Sequence, residues 1–203
     1  ERRGVASGWH ITAPIWIAAA LSAVNVVFGL FILPESLKPE NKRPFGKRDL
    51  NPFGTVFRAF GVPGLAIPLV CIFVFEFANL VYPAIWSFWG RETVGWDSVT
   101  IGLTLSAYGI LVAVVQAGVL PGLTRRLGDY KTLILSVVAA VIGLVGFGLS
   151  GAVWMVAIVL PIAALSDMAP PLLTAFAANR VGEDQQGLVQ GVIASISSIA
   201  AVA

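Results

Sequence analysis

Charge is scarce in this chain of 203 residues: Lys and Arg number 13 and Asp and Glu 11, together 12%, about half the share of a typical soluble domain. With 57% hydrophobic residues, too few charges remain to solvate a globular surface, which argues against a soluble fold. Cysteine is almost absent. Cys71 stands alone inside an apolar run, so neither a disulfide framework nor a thiolate metal site can be assembled. His10 is equally alone, which excludes His/Cys zinc sites and removes most support for a Ser-His hydrolase. No G-x-S-x-G and no Walker-type loop occurs, so direct ATP hydrolysis is not encoded. Gly146, Gly148 and Gly151 have G-x-G-x-x-G spacing, but they end an apolar span without the strand that a dinucleotide site needs. No enzyme, cofactor or metal is expected. The chain lacks an initiating Met and a secretory signal pattern and stops inside an apolar stretch, so both ends are expected to be cuts through a longer protein.

The charges fall in short clusters between apolar stretches of about 18 to 26 residues, each long enough to cross a hydrocarbon core as a helix. The expected fold is all-α, a polytopic membrane bundle. Candidate spans are Ala13 to Leu33, Leu65 to Trp89, Val99 to Leu120, Thr132 to Ser150 and Ala152 to Ala175, with a sixth starting at Leu188. Sorting the basic residues onto alternate sides gives 10 against 3. Lys38, Lys42, Arg43, Lys47, Arg48, Arg58, Arg125, Arg126, Lys131 and Arg180 share one side; Arg2, Arg3 and Arg91 share the other. Because Lys and Arg of short loops stay cytoplasmic, Pro34 to Pro63 is expected inside and Gly90 to Ser98 outside. The +2 net charge needs no nucleic acid, since basic loops beside a bilayer give the same balance.

The stretch Pro34 to Pro63, interrupted by Pro34, Pro39, Pro44 and Pro52, reads as a linker between two bundles. At its end Phe53, Val56, Phe57 and Phe60 have helical spacing, suited to a short interfacial anchor or a docking helix. Trp86, Trp89 and Trp96 flank the outer end of the second span, as expected of interfacial rings.

Glu76 lies near the middle of its span, where a carboxylate costs roughly 2.5 to 3.5 kcal/mol on insertion scales. Beside a water-filled cavity such a group is suited to binding and releasing protons; the bland alternative is a packing hydrogen bond between helices. Asn79 and Pro83 follow on the same face, with Tyr82 beside it. Asp167 interrupts the fifth span, and Pro170 and Pro171 remove two backbone donors after it, freeing carbonyls one turn back. A broken helix of this kind either walls a binding cavity or leaves Asp167 hydrated near the cytoplasmic interface. Gln116, Asn25 and Gln190 are polar residues in or near spans and commonly bond between helices. Gly187, Gly191 and Ser195, four apart, form a small-residue packing seam.

The loop Pro121-Gly-Leu-Thr-Arg-Arg-Leu-Gly-Asp-Tyr-Lys131 resembles the loop signature of the major facilitator superfamily, in the weaker form of the second half, with Arg126, Gly128 and Lys131 at matching places. Leu33-Pro-Glu-Ser-Leu-Lys38, Trp96-Asp-Ser-Val-Thr-Ile-Gly102 leading through Ala107 to Gln116-Ala117, and Gln186-Gly-Leu-Val-Gln-Gly191 resemble its tetracycline-efflux branch. The resemblance implies helices six to eleven of a twelve-helix transporter. Residues 1–34 would end the N-terminal bundle, 35–63 form a cytoplasmic linker with a short interfacial helix, and 64–203 supply four complete helices and one truncated. It implies gating roles for Arg126, Gly128 and Lys131, with Arg125 where the full signature has an acid, and puts Glu76 and Asp167 in the substrate or proton pathway. Ala140 stands where tetracycline exporters have an Asp, a departure that counts against tetracycline itself as cargo.

The expected function is a secondary active transporter of the bacterial inner membrane, exporting small amphipathic drugs, tetracycline-like or of several kinds, in exchange for protons and monomeric when complete. Glu76 and Asp167 would couple protons, Asn79, Tyr82 and Gln116 would face the cavity, and Arg125, Arg126, Gly128, Asp129 and Lys131 would form the gating loop. An importer or uniporter of sugars or other metabolites fits the same pattern. A non-transporting membrane scaffold, with Glu76 sequestered between helices, is the alternative of another class.

Overall fold

A computed structural model describes residues 6–32, 52–182 and 185–201, all of its regular structure helical. Most of the linker expectation, and the basic residues Lys38 to Arg48 with Arg2 and Arg3, therefore lie outside the described residues. The chain divides into two compact units, Glu1–Arg43 and Pro44–Ala203. The first contains α1 (Ala6–Ile32), apolar around its circumference, as a lipid-embedded helix must be.

The second unit runs α2 (Pro52–Phe60), α3 (Ala66–Asn79), α4 (Val81–Val94), α5 (Ser98–Val114), a π-helical turn (Val115–Val119), α6 (Leu120–Leu127), α7 (Asp129–Leu149), α8 (Val153–Ser166), α9 (Ala169–Ala178) and α10 (Gln186–Ala200). Successive pieces join into four helices long and apolar enough to cross a membrane: Ala66–Val94, Ser98–Leu127, Asp129–Leu149 and Val153–Ala178. Ile15–Phe31 and Gln186–Ala200 are shorter apolar helices.

Lipid is as apolar as leucine, so close packing and internal hydrogen bonds hold such a bundle together. The buried face of α7 is small: Thr132, Ser136, Ala139, Ala140 and Gly143. This allows α8 to approach until a β-carbon at Gly143 would lie 3.2 Å from that of Ala163. A β-carbon at Gly146 would meet Val159 at 2.8 Å. The first glycine of the G-x-G-x-x-G spacing is thus a helix contact. Buried hydroxyls return to their own helices, Ser136 Oγ donating to the Thr132 carbonyl at 2.7 Å and Ser166 Oγ to that of Ala163 at 2.6 Å. A second core joins α3, α9 and α10 through Leu69, Ile72, Leu173, Ala177, Val189 and Val192.

One expectation is corrected, and two others receive their surroundings. Trp86 and Trp96 are each only 7% exposed and pack with Ile101, Val156 and Leu160, because the tight turn after α4 folds the Trp96 ring onto Gly90. In α2, Ala59 is buried and Val56 half-buried against the second core, while Phe57 is 75% exposed. The apolar residues of α2 therefore divide between the bundle and its surroundings. The face of α10 turned to the bundle is Val189, Val192 and Ile196; no atom outside their own helix backbone and chain neighbours lies within 4 Å of a β-carbon at Gly187 or Gly191, so the small-residue seam meets no described helix.

Candidate functional site

Proline sets the local geometry at three points. Pro83 has no N–H for the Asn79 carbonyl, and the Ala66–Val94 span turns at Leu80, between α3 and α4. Asn79 Nδ2 spends itself on the Phe75 carbonyl of its own helix at 2.9 Å. Pro121 likewise cannot bond one turn back, and the turn before it widens to π-helix, Leu120 N–H reaching Val115. Gln116 sits in that widened turn. Pro170 and Pro171 open α9 after a break at Asp167 and Met168.

At this break the residues converge. Asp167, half-buried, accepts a hydrogen bond at Oδ2 from the Tyr108 hydroxyl at 2.5 Å. Its backbone carbonyl is the one that Pro171 cannot reach in a continuous helix, and Gln116 Nε2 donates to it instead, at a long 3.4 Å. Side chain and main chain of the break are thus both held by the helix that runs from Ser98 to Leu127.

Beside Tyr108 a cavity of about 250 Å³ opens between α4, α5, α7 and α8, lined by Tyr82, Pro83, Trp86, Leu105, Tyr108, Phe147 and Leu160. Tyr82 and Trp86, one turn apart on α4, meet Phe147 edge-on at ring separations of 5.5 and 5.2 Å. The Tyr82 hydroxyl oxygen is buried without a hydrogen-bond partner among the described residues. It lies 3.1 Å from where a β-carbon on Gly143 would stand. Tyr82, Trp86 and Phe147 also wall a second cavity of about 140 Å³, reaching Trp89, Leu144 and Gly148.

Of the expected site residues, Asp167, Gln116 and Tyr82 gather around this region. Glu76 is half-buried on α3 and lines neither cavity. Asn79 lines neither of them. Arg125 and Arg126 end α6 and Asp129 begins α7, signs that suit the helix dipoles. With Gly128 and Lys131 they are exposed. Tyr108 escapes a sequence reading, although a tyrosine inside an apolar span is a signal, since a buried phenol seeks a partner. Potential metal ligands do not cluster in threes among the described residues.

At the turn between α4 and α5, Gly95 adopts a left-handed φ of 70° that closes α4, and Asp97 caps α5 by accepting from the Thr100 N–H at 2.9 Å. The bonds from Thr100 hold the Asp97 carboxyl below the usual range of aspartate.

A sequence model described as Major Facilitator Superfamily matches residues 4–203. The chain is 30% identical over 199 residues to the class C tetracycline resistance protein of Escherichia coli, covering 98% of this chain and 50% of that protein. It is 28% identical over 200 residues to the class G tetracycline resistance protein of Vibrio anguillarum, covering 98% and 51%. It is also 28% identical over 191 residues to human Hippocampus abundant transcript-like protein 1, covering 91% and 38%. The chain thus spans about half the length, or less, of these relatives. With a match running along nearly the whole of an all-helical bundle of membrane-length spans, this chain belongs to the Major Facilitator Superfamily.

Proposed function

We propose that these helices belong to a secondary active exporter that moves small amphipathic compounds out in exchange for protons. On this reading residues 1–34 end the first bundle, 35–63 link the bundles on the cytoplasmic side, and 64–203 are helices seven to eleven. The complete protein, a monomer in the bacterial inner membrane, rocks its two bundles about a midplane site. The observation that carries the reading is Asp167. An intramembrane carboxyl at a proline-broken helix, bonded to Tyr108 and adjoining an aromatic cavity, is costly to keep and unneeded for packing alone.

Cargo contacts Tyr82 and Tyr108 in the cavity, and Gln116 steadies the wall. Asn79 faces the same pathway when the span carrying it moves. Glu76 exchanges protons with water that enters between the bundles, and Asp167 is the second proton-responsive carboxyl. Arg125, Arg126, Gly128, Asp129 and Lys131 form the cytoplasmic gate, meeting the other bundle in the closed state. Similarity to tetracycline resistance proteins supports an exporter. Ala140, where the resemblance calls for an Asp, directs the search for cargo beyond tetracycline itself.

In everted vesicles bearing the full-length protein, Glu76→Gln is expected to abolish cargo accumulation driven by a pH gradient while gradient-free cargo exchange persists. Retention of wild-type pH dependence in that variant refutes the coupling role.

A further inference from the structure

We infer that the cavity beside Tyr108 selects a monovalent organic cation, a small aromatic or alkyl ammonium head, over neutral and anionic compounds. This rests on the reading of that cavity as the cargo site. Four of its walls are aromatic: Tyr82, Trp86, Tyr108 and Phe147. Phe147 stands at 78° to Tyr82 and 85° to Trp86, so ring faces and edges enclose the space from different directions. Aromatic faces carry negative potential, and an ammonium group against them is held by about 2 kcal/mol or more once desolvated.

Asp167 adds sign to shape. Tyr108 donates its hydroxyl to that carboxyl, so Asp167 when ionised sets negative charge directly behind one wall and enriches its ring. A cation in the cavity favours the ionised carboxyl in return. No Lys, Arg or His lines the cavity. The basic residues of the described bundle, Arg58, Arg91, Arg125, Arg126, Lys131 and Arg180, are all exposed. A neutral guest gains apolar contact alone, and an anion meets the same faces with the wrong sign. At about 250 Å³ the space falls just under the range of drug pockets, roughly 300–1,000 Å³. It suits one ring with a small ammonium group, or the cationic end of something larger.

Phenyltrimethylammonium and its uncharged isostere tert-butylbenzene differ in charge at nearly constant shape. Titrated against the full-length protein in detergent without a pH gradient, the cation is expected to bind about tenfold or more tightly than the isostere. Asp167→Asn is expected to remove about tenfold of the cation's affinity and leave the isostere's unchanged. Tyr108→Phe, which keeps the ring and loses the bond to the carboxyl, is expected to weaken the cation alone and serves if Asp167→Asn fails to fold. Equal affinity for the two probes, or variants that weaken both alike, overturns the inference. Should export under a pH gradient persist with both probes bound alike, the cation inference falls and the exporter stands. Selective cation binding with no gradient-driven export leaves the selectivity and removes the exporter.

Discussion

Asp97 and Gly128 are two residues whose effects can be isolated. Asp97 binds the first turn of α5 through Thr100. Its folded carboxyl is held low by those bonds, so it contributes stability above the ordinary aspartate range that is lost as pH falls through the lower folded value. Asp97→Ala is expected to lower the Tm of the full-length protein at neutral pH, with the gap to wild type closing in acid; Asp97→Asn, which still caps, loses less. A gap constant down to the acid limit counts against the cap. Gly128 has φ 79° and ψ 162°, a conformation essentially restricted to glycine, and beyond its chain neighbours no atom of the described residues lies within 4 Å of an added β-carbon. Gly128→Ala therefore tests backbone strain without a clash and is expected to cost roughly 1–3 kcal/mol in denaturant unfolding. Asp167 is legible in the sequence because an acid amid apolar residues stands out. Its partner Tyr108 is 59 positions away, and only the fold tells which of the chain's tyrosines meets it.

The irregular elements are where sequence and fold agree most closely. Pro170 and Pro171 announce the break at Asp167, and it occurs, whereas Pro161 sits inside α8 without one. The π-turn at Gln116 is less legible: Pro121 removes a donor, but whether a helix kinks, ends or widens depends on what packs beside it. The hidden aromatic cluster has a similar cause. Three tryptophans near a span end read as interfacial, whereas the Gly95 turn folds Trp96 inward over Gly90. The break at Asp167 permits a double-mutant cycle. Gln116→Leu leaves the Asp167 carbonyl without its donor and is expected to cost about 0.6 kcal/mol, the average for such bonds in a membrane. Pro171→Ala supplies a backbone N–H that can take the same carbonyl as the helix closes. In the Pro171→Ala background the cost of Gln116→Leu is therefore expected to fall towards zero, measured by unfolding of the full-length protein. Additive costs show that Gln116 does not serve that carbonyl.

The whole molecule is ordered by charge. Arg125, Arg126 and Lys131 sit at one end of adjoining spans, Arg180 at the same end by the parity of two further crossings, and Arg91 at the opposite end. Retention of Lys and Arg on the cytoplasmic side then supports the proposed orientation, because inverting the bundle would carry the basic loops across the bilayer to spare one arginine. The orientation can be read chemically. In a Cys71→Ser background, which removes the exposed native thiol, Glu92→Cys marks the end of α4 and Tyr130→Cys the first turn of α7. Both positions are exposed, so a membrane-impermeant maleimide meets no packing barrier at either. In spheroplasts of a bacterial host the full-length protein is expected to label at residue 92 from outside, and at residue 130 only after permeabilisation. The reverse pattern inverts the topology and moves the proposed gate to the outer face. Labelling of both from one side breaks the span between Ser98 and Leu127, and with it the alignment of Tyr108 and Gln116 on Asp167.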